Sequence, residues 1–237
     1  MNSTTAKILS MPVAAPASDL TRGASLGDRV YETLLSQLIS LKIAPGTRIA
    51  VDALVRELGV SQTPIRAALI RLESEGLVVK THNVGFSAAP MPSRQRFEEI
   101  YDMRLLLEPY MAARAAVRLS PELREELAQL ADEMKALAKD DSKLAYSKFA
   151  VQDSNFHAWI AHQCANELAA EALARLYAHT HLFRLRFHTT VTEEAIDEHA
   201  DIVRALSDGN SAAAAEAMER HIHRSRARMA PFFEIME

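Results

Sequence analysis

Apolar side chains recur at helical spacing from the first third of the chain onward. Val30, Leu34, Leu35, Leu38 and Ile39 repeat at three- and four-residue intervals, which predicts a helix from Leu26 that ends before the turn dipeptide Pro45-Gly46. A shorter helix is predicted over Val51 to Leu58, with Leu54, Val55 and Leu58 on one side and Gly59 as its stop. Ser61 is placed to cap the next helix by accepting from an orphan N–H, and Pro64 falls in the first turn, where a missing N–H costs nothing. That helix runs through Ile65, Leu69 and Leu72 to Gly76. The pattern then changes: Leu77-Val78-Val79 and Phe86-Ser87-Ala88 flank a polar stretch and predict a short hairpin. Three helices, a tight turn and a hairpin predict a winged helix-turn-helix.

Pro90 and Pro92 mark the expected boundary. Beyond them, helical patterns cover about 94–118, 121–138, 142–163, 167–189, 193–207 and 211–230, broken at Ser120-Pro121, Asp140-Asp141 and Asp208-Gly209-Asn210. The expected fold is mainly α. A mobile Ser/Thr/Ala/Pro-rich arm (1–24) precedes a DNA-binding domain (25–90) and an all-helical bundle (93–232).

Composition agrees with helices: glycine and aromatics are scarce, and 49% of residues are hydrophobic. A net charge of −4 argues against a strongly basic nucleic-acid binder, but the charge is unevenly placed. Residues 1–92 carry nine Lys/Arg against seven Asp/Glu, and the remainder carries eighteen against twenty-four, so only the first part suits phosphates. With no apolar run of roughly 20 residues and no signal-type start, a soluble cytoplasmic protein with no membrane partner is expected. The single cysteine, Cys164, cannot form an internal disulfide.

In a helix-turn-helix the second helix presents its N-terminal residues to the major groove, which makes Ser61, Gln62, Thr63 and Arg66 the candidate contacts. Arginine can bond guanine bidentately or clamp a phosphate, and glutamine can pair with adenine or donate to a phosphate. Ser61 and Thr63 suit the DNA backbone, His82 the wing's approach to the minor groove or a phosphate, and Arg48 an added charge near the turn.

In the bundle, Asp153 and His157 lie one turn apart on the side that carries Phe156 and Ile160. Such a polar pair is either satisfied by a hydrogen bond within the helix or bound to something else. His199 and His221 each lie eleven residues from Asn210, so two antiparallel helices leaving that turn would set them at one height. One carboxylate and three imidazoles form a natural site for Zn²⁺, with Ni²⁺ or Mn²⁺ as alternatives. His223, two residues from His221, cannot point inward with it. Arg104 shares an apolar stripe with Ile100, Leu107 and Met111, where its guanidinium needs an acceptor. Glu108 is one candidate partner and a ligand carboxylate another. Of Arg184 and Arg186, which point to different sides, one could line the same cavity.

The run Pro45-Gly46, Val60 through Leu69 and Leu72 through Leu77 closely resembles the GntR superfamily of bacterial transcription regulators. Members usually carry arginine where this chain has Gln62 and glutamate where it has Ala67, so one DNA contact differs from the usual one. Asp153-Ser154-Asn155-Phe156-His157, then Asn166, Glu198-His199, Ala205 through Asn210 and His221 resemble the FCD ligand-binding domain of the FadR-like branch. The likeness spans about residues 26 to 230. It implies a helical bundle holding a metal through Asp153, His157, His199 and His221, and an effector cavity faced by Arg104.

The expected function is thus a transcription repressor, not an enzyme. It would bind a short palindromic operator in double-stranded DNA as a homodimer and respond to a small carboxylate. The rivals are a metal-dependent hydrolase with an accessory DNA-binding domain, for which no His-Glu-x-x-His motif supplies a base, and a bundle that serves only for dimerisation.

Overall fold

The computed structural model describes residues 25–137, 143–176 and 191–231. The N-terminal part contains α1 (Leu26–Ile39), β1 (Arg48–Ile49), α2 (Val51–Leu58), α3 (Gln62–Ser74), β2 (Val78–Thr81) and β3 (Gly85–Ala88). The bundle follows as α4 (Arg94–Ala116), α5 (Pro121–Leu137), α6 (Lys143–Gln163), α7 (Glu167–Ala174), α8 (Val191–Ser207) and α9 (Ser211–Met229). The architecture is the expected one, a winged helix-turn-helix joined to an all-helical bundle.

α1 begins with a capping box: Ser25 Oγ accepts from the Asp28 N–H, and the Asp28 carboxylate accepts from the Ser25 N–H. These bonds satisfy two donors that a helix start would leave open. Leu34, Leu35, Leu38 and Ile39 of α1 are buried with Ile65, Leu69 and Leu72 of α3 in one core. α2 ends on Gly59 in the left-handed conformation, at φ 65°. This sharp stop turns the chain into α3.

Two details differ from the sequence reading. Ser61 occupies the N-cap position of α3 with extended backbone, but its side chain makes no capping bond, so the expected cap is corrected to a positional one. The hairpin is also joined by β1, too short to leave a hydrophobic period. The strand order is β1-β3-β2, antiparallel throughout, with Ile49 opposite Phe86 and Lys80 opposite Phe86 on the other edge.

In the bundle, α4 packs on α6, α7, α8 and α9, and α5 packs on α6 and α8. The turn between α8 and α9 is fixed chemically. Gly209 takes φ 68°, where a side chain would be strained and its Cβ would meet the Ala116 carbonyl at 3.7 Å. Asn210 then caps α9, its Oδ1 accepting from the Ala213 N–H at 3.1 Å. α6 also reaches the N-terminal part, packing on α1, with Lys148 Nζ 2.7 Å from a Glu32 carboxylate oxygen. The predicted helix over 167–189 is observed as α7 up to Ala174, and its later part, including Arg184 and Arg186, lies outside the described residues, as does the 1–24 arm.

Candidate functional site

The first candidate surface is the exposed side of α3 and the wing. Ser61, Gln62, Thr63 and Arg66 are all solvent-exposed at the N-terminal end of α3, opposite the buried Ile65, Ala68 and Leu69. Gln62 is held at both ends of its amide: Nε2 donates to Asp52 Oδ1 at 2.7 Å, and Oε1 accepts from Arg66 Nη2 at 3.3 Å. A chain Asp52–Gln62–Arg66 thus links α2 to α3 and aligns the guanidinium beside the helix start. His82 is exposed at the hairpin turn and Arg48 is exposed on β1, where Arg48 pairs with Ser87.

The second lies inside the bundle. Asp153 and His157 from α6, His199 from α8 and His221 from α9 are each no more than 4% exposed. The imidazoles of His157, His199 and His221 each present a nitrogen within 4.8 Å of the others. His199 and His221 have ring centroids 4.7 Å apart, so the equal spacing about Asn210 does set them at one height. His199 Nε2 lies 3.4 Å from Asp153 Oδ1. The contacts that gather the four therefore run across three helices.

Two carboxylates back this group. Glu108 Oε2 lies 2.5 Å from His157 Nδ1, and Glu198 Oε2 lies 2.9 Å from His221 Nδ1. A carboxylate on Nδ1 keeps the proton there and places the lone pair on Nε2, the form in which imidazole ligates a metal. Each carboxylate is in turn held by an arginine. Arg104 Nε donates to Glu108 Oε1 at 2.6 Å, and Arg228 donates to both Glu198 oxygens at 2.5 and 2.8 Å. Arg104 is 1% exposed, stacks over Tyr101 at 5.3 Å and has its Nη2 buried without a hydrogen-bond partner among the described residues. Of the two partners raised for Arg104, Glu108 is the one seen, on Nε; Nη2 has no hydrogen-bond partner among the described residues.

Burial dominates the electrostatics. It pushes the Asp153 carboxyl up to about 6, against the pull of His157 and Arg104. It pushes His221 down to about 4, against the hydrogen bond that its Nδ1 donates to Glu198, so this imidazole is neutral near pH 7. Burial would also raise Glu198, but its bonds from His221 and Arg228 outweigh this and hold it below the usual carboxylate range. A neutral His221, with ring nitrogens of His157 and His199 within 4.8 Å and a carboxylate that costs energy to ionise in protein alone, makes a donor set that a divalent cation suits. The residues fit the ion.

Comparisons with known proteins show the family. Residues 26–87 match the family of bacterial regulatory proteins called gntR, and residues 99–224, more than half of the chain, match the FCD domain. The chain is a GntR-family transcriptional regulator with an FCD domain. Among curated relatives, the gluconate operon transcriptional repressor of Bacillus subtilis is 32% identical over 143 residues, covering 60% of this chain and 56% of the repressor. The repressor GlaR of Escherichia coli is 24% identical over 199 residues, covering 81% of this chain and 90% of GlaR. The solved structure of E. coli McbR/YncC superposes with a TM-score of 0.62 at 20% identity, covering 91% of this chain and all of that one, which shows a shared fold.

The family and its relatives are regulators, not enzymes, so the hydrolase alternative finds no support. Among the described residues no helix is long and apolar enough to cross a membrane.

Within this GntR regulator, sequence reasoning paired Glu108 with Arg104 but missed its contact with His157, and it missed Glu198 and Arg228 as supports of His221. A signal was present. His221, Ser225 and Arg228 follow one another at four and three residues on a helix face that otherwise buries Met218, Ile222 and Met229. Polar residues on such a face need partners. Ser225 meets the Tyr101 hydroxyl at 2.8 Å, beneath Arg104.

Proposed function

We propose that this regulator is a repressor that binds a short palindromic operator as a homodimer, and that a small carboxylate bound beside a divalent metal, Zn²⁺ foremost, releases it. Asp153, His157, His199 and His221 would hold the ion. When bound, it would offer open coordination positions to a ligand oxygen. Arg104 Nη2 would take the ligand's carboxylate, and Ser61, Gln62, Thr63, Arg66, Arg48 and His82 would meet the DNA.

The observation that carries this reading is the buried convergence of those four side chains next to an arginine donor that no described residue uses. Charge supports the ligand class. Arg104 and Arg228 against Asp153, Glu108 and Glu198 leave the cluster with one net negative charge. A divalent ion reverses that sign, and one carboxylate then brings the site to neutrality, the state a buried cluster favours. The names of relatives as repressors support the direction of control.

Regulation follows if the acid binds the DNA-competent and incompetent arrangements with different affinity, since equal affinity shifts nothing. Elemental analysis and thermal shifts of purified protein with a panel of small carboxylates test the reading. One bound divalent ion per chain and a shift with at least one acid are expected. A metal-free protein that no acid stabilises would leave the bundle a structural module and overturn the sensor role.

A further inference from the structure

Asp153, His157, His199 and His221 are buried, so an ion that they hold has to pass between side chains to reach them. A groove between α8 and α9 comes within one side chain of the cluster. Its volume is about 440 Å³, and it is lined by Glu194, Asp197 and Glu198 of α8 and by Arg224, Ala227 and Arg228 of α9. Each set is spaced by three residues and then one, so each forms a single helix face turned into the groove. Ala227 carries only a methyl group between the two arginines, which leaves the space open.

Glu198 belongs to both places. It lines the groove although it is only 6% exposed, and its Oε2 accepts from His221 Nδ1 at 2.9 Å. Arg228 covers it, donating Nη1 and Nη2 to the two Glu198 oxygens at 2.5 and 2.8 Å. A bidentate guanidinium there occupies the oxygens that an arriving cation would use, and its charge opposes the approach. Arg228 also has a second partner within reach. Its Nη1 lies 3.5 Å from Glu194 Oε2, one turn back along α8, on a side chain that is 55% exposed. A swing of the guanidinium toward Glu194 uncovers Glu198 and exchanges one ion pair for another, so no charge is left bare. An arginine that only steadied Glu198 would need the first pair alone; a movable one needs both.

We propose that the α8–α9 groove is the route by which a divalent cation enters and leaves the cluster, and that Arg228 is its gate, on Glu198 when closed and on Glu194 when open. The inference rests on the metal reading above and adds how the site is filled and emptied. Glu194 and Asp197, both exposed, give the mouth an acidic rim that draws a cation in. Glu198, once uncovered, stands between that rim and His221. The gate sets the speed of exchange and leaves the equilibrium to the ligands, because a barrier crossed in both directions cancels in the ratio of the two rates.

Stopped-flow loading of the metal-free full chain with Co²⁺, read by its visible absorption, and extraction of the bound Co²⁺ by excess chelator test this. Arg228→Ala should speed uptake and release together, each by roughly tenfold or more, with the dissociation constant and far-ultraviolet circular dichroism little changed. Glu194→Gln removes the open position, so it should slow both rates in the wild-type background and leave release unchanged in Arg228→Ala. Faster release alone, with affinity weakened about 10- to 100-fold, would reduce Arg228 to a support of Glu198 and overturn the gate. Rates that Arg228→Ala does not move would overturn the route. If Arg228→Ala does not fold, Glu194→Gln decides by itself, and release at the wild-type rate overturns the gate. A wild-type chain that takes up neither Co²⁺ nor Zn²⁺ would overturn the metal reading, and this inference with it.

Discussion

The Glu198 carboxylate is clamped between His221 Nδ1, at 2.9 Å, and the Arg228 guanidinium, at 2.5 and 2.8 Å. This bond to His221 leaves Nε2 as the nitrogen that would face the proposed ion. Removing the charge while keeping the shape loosens that control. Glu198→Gln should lower metal affinity by roughly 10- to 100-fold, measured by competition with a chromogenic chelator, with far-ultraviolet circular dichroism unchanged. An unaltered affinity would show that Glu198 only anchors Arg228.

Metal removal should destabilise the bundle. An ion present at about 100 times its dissociation constant adds roughly 2.7 kcal/mol to the folded state, so chelation should lower Tm by several degrees. His221→Ala should have a Tm that chelator does not move. If wild type were equally indifferent, the cluster would not hold an ion tightly.

The Asp52–Gln62–Arg66 chain makes a graded expectation for DNA binding. Arg66→Ala should weaken operator binding by about 1–3 kcal/mol in fluorescence anisotropy. Asp52→Ala, which frees the Gln62 amide without removing a groove contact, should weaken it less. Equal losses would mean that alignment, not the guanidinium contact, dominates.

A pH effect is expected in the winged domain. Glu75 accepts from the Tyr31 hydroxyl at 2.9 Å and sits 3.3 Å from Arg71, and burial raises its pKa above the usual 4.5 despite both partners. A carboxyl whose folded pKa is raised stabilises the fold below its unfolded pKa and loses that contribution as pH rises through the folded one. Relative to Glu75→Gln, wild type should therefore be more stable at pH 4.5 than at pH 7 by calorimetry. The opposite trend would mean that Tyr31 and Arg71 outweigh burial.

Much of this was legible because helical periodicity is a strong signal. Val30 through Ile39 and the stripe around Ile65, Leu69 and Leu72 specify α1 and α3 directly, and the equal distances of His199 and His221 from Asn210 foretell their meeting across a capped turn. What was not legible depends on tertiary approach. Glu198 adjoins His199 in sequence yet serves His221 on the next helix, and Glu108 reaches from α4 to His157 on α6. β1 has two residues and no period to read. Ser61 has the right residue type and backbone for a cap, but its side chain does not make the capping bond.

If the buried cluster governs DNA binding, the most direct measurement is operator affinity of metal-loaded protein titrated with small carboxylates. Wild type is compared with Arg104→Lys, which keeps the charge but loses the fork of donors. At least one acid should lower wild-type affinity tenfold or more, and the same acid should have little effect on Arg104→Lys or on chelated protein. An operator affinity that no carboxylate moves while the metal is bound would contradict control by the cluster.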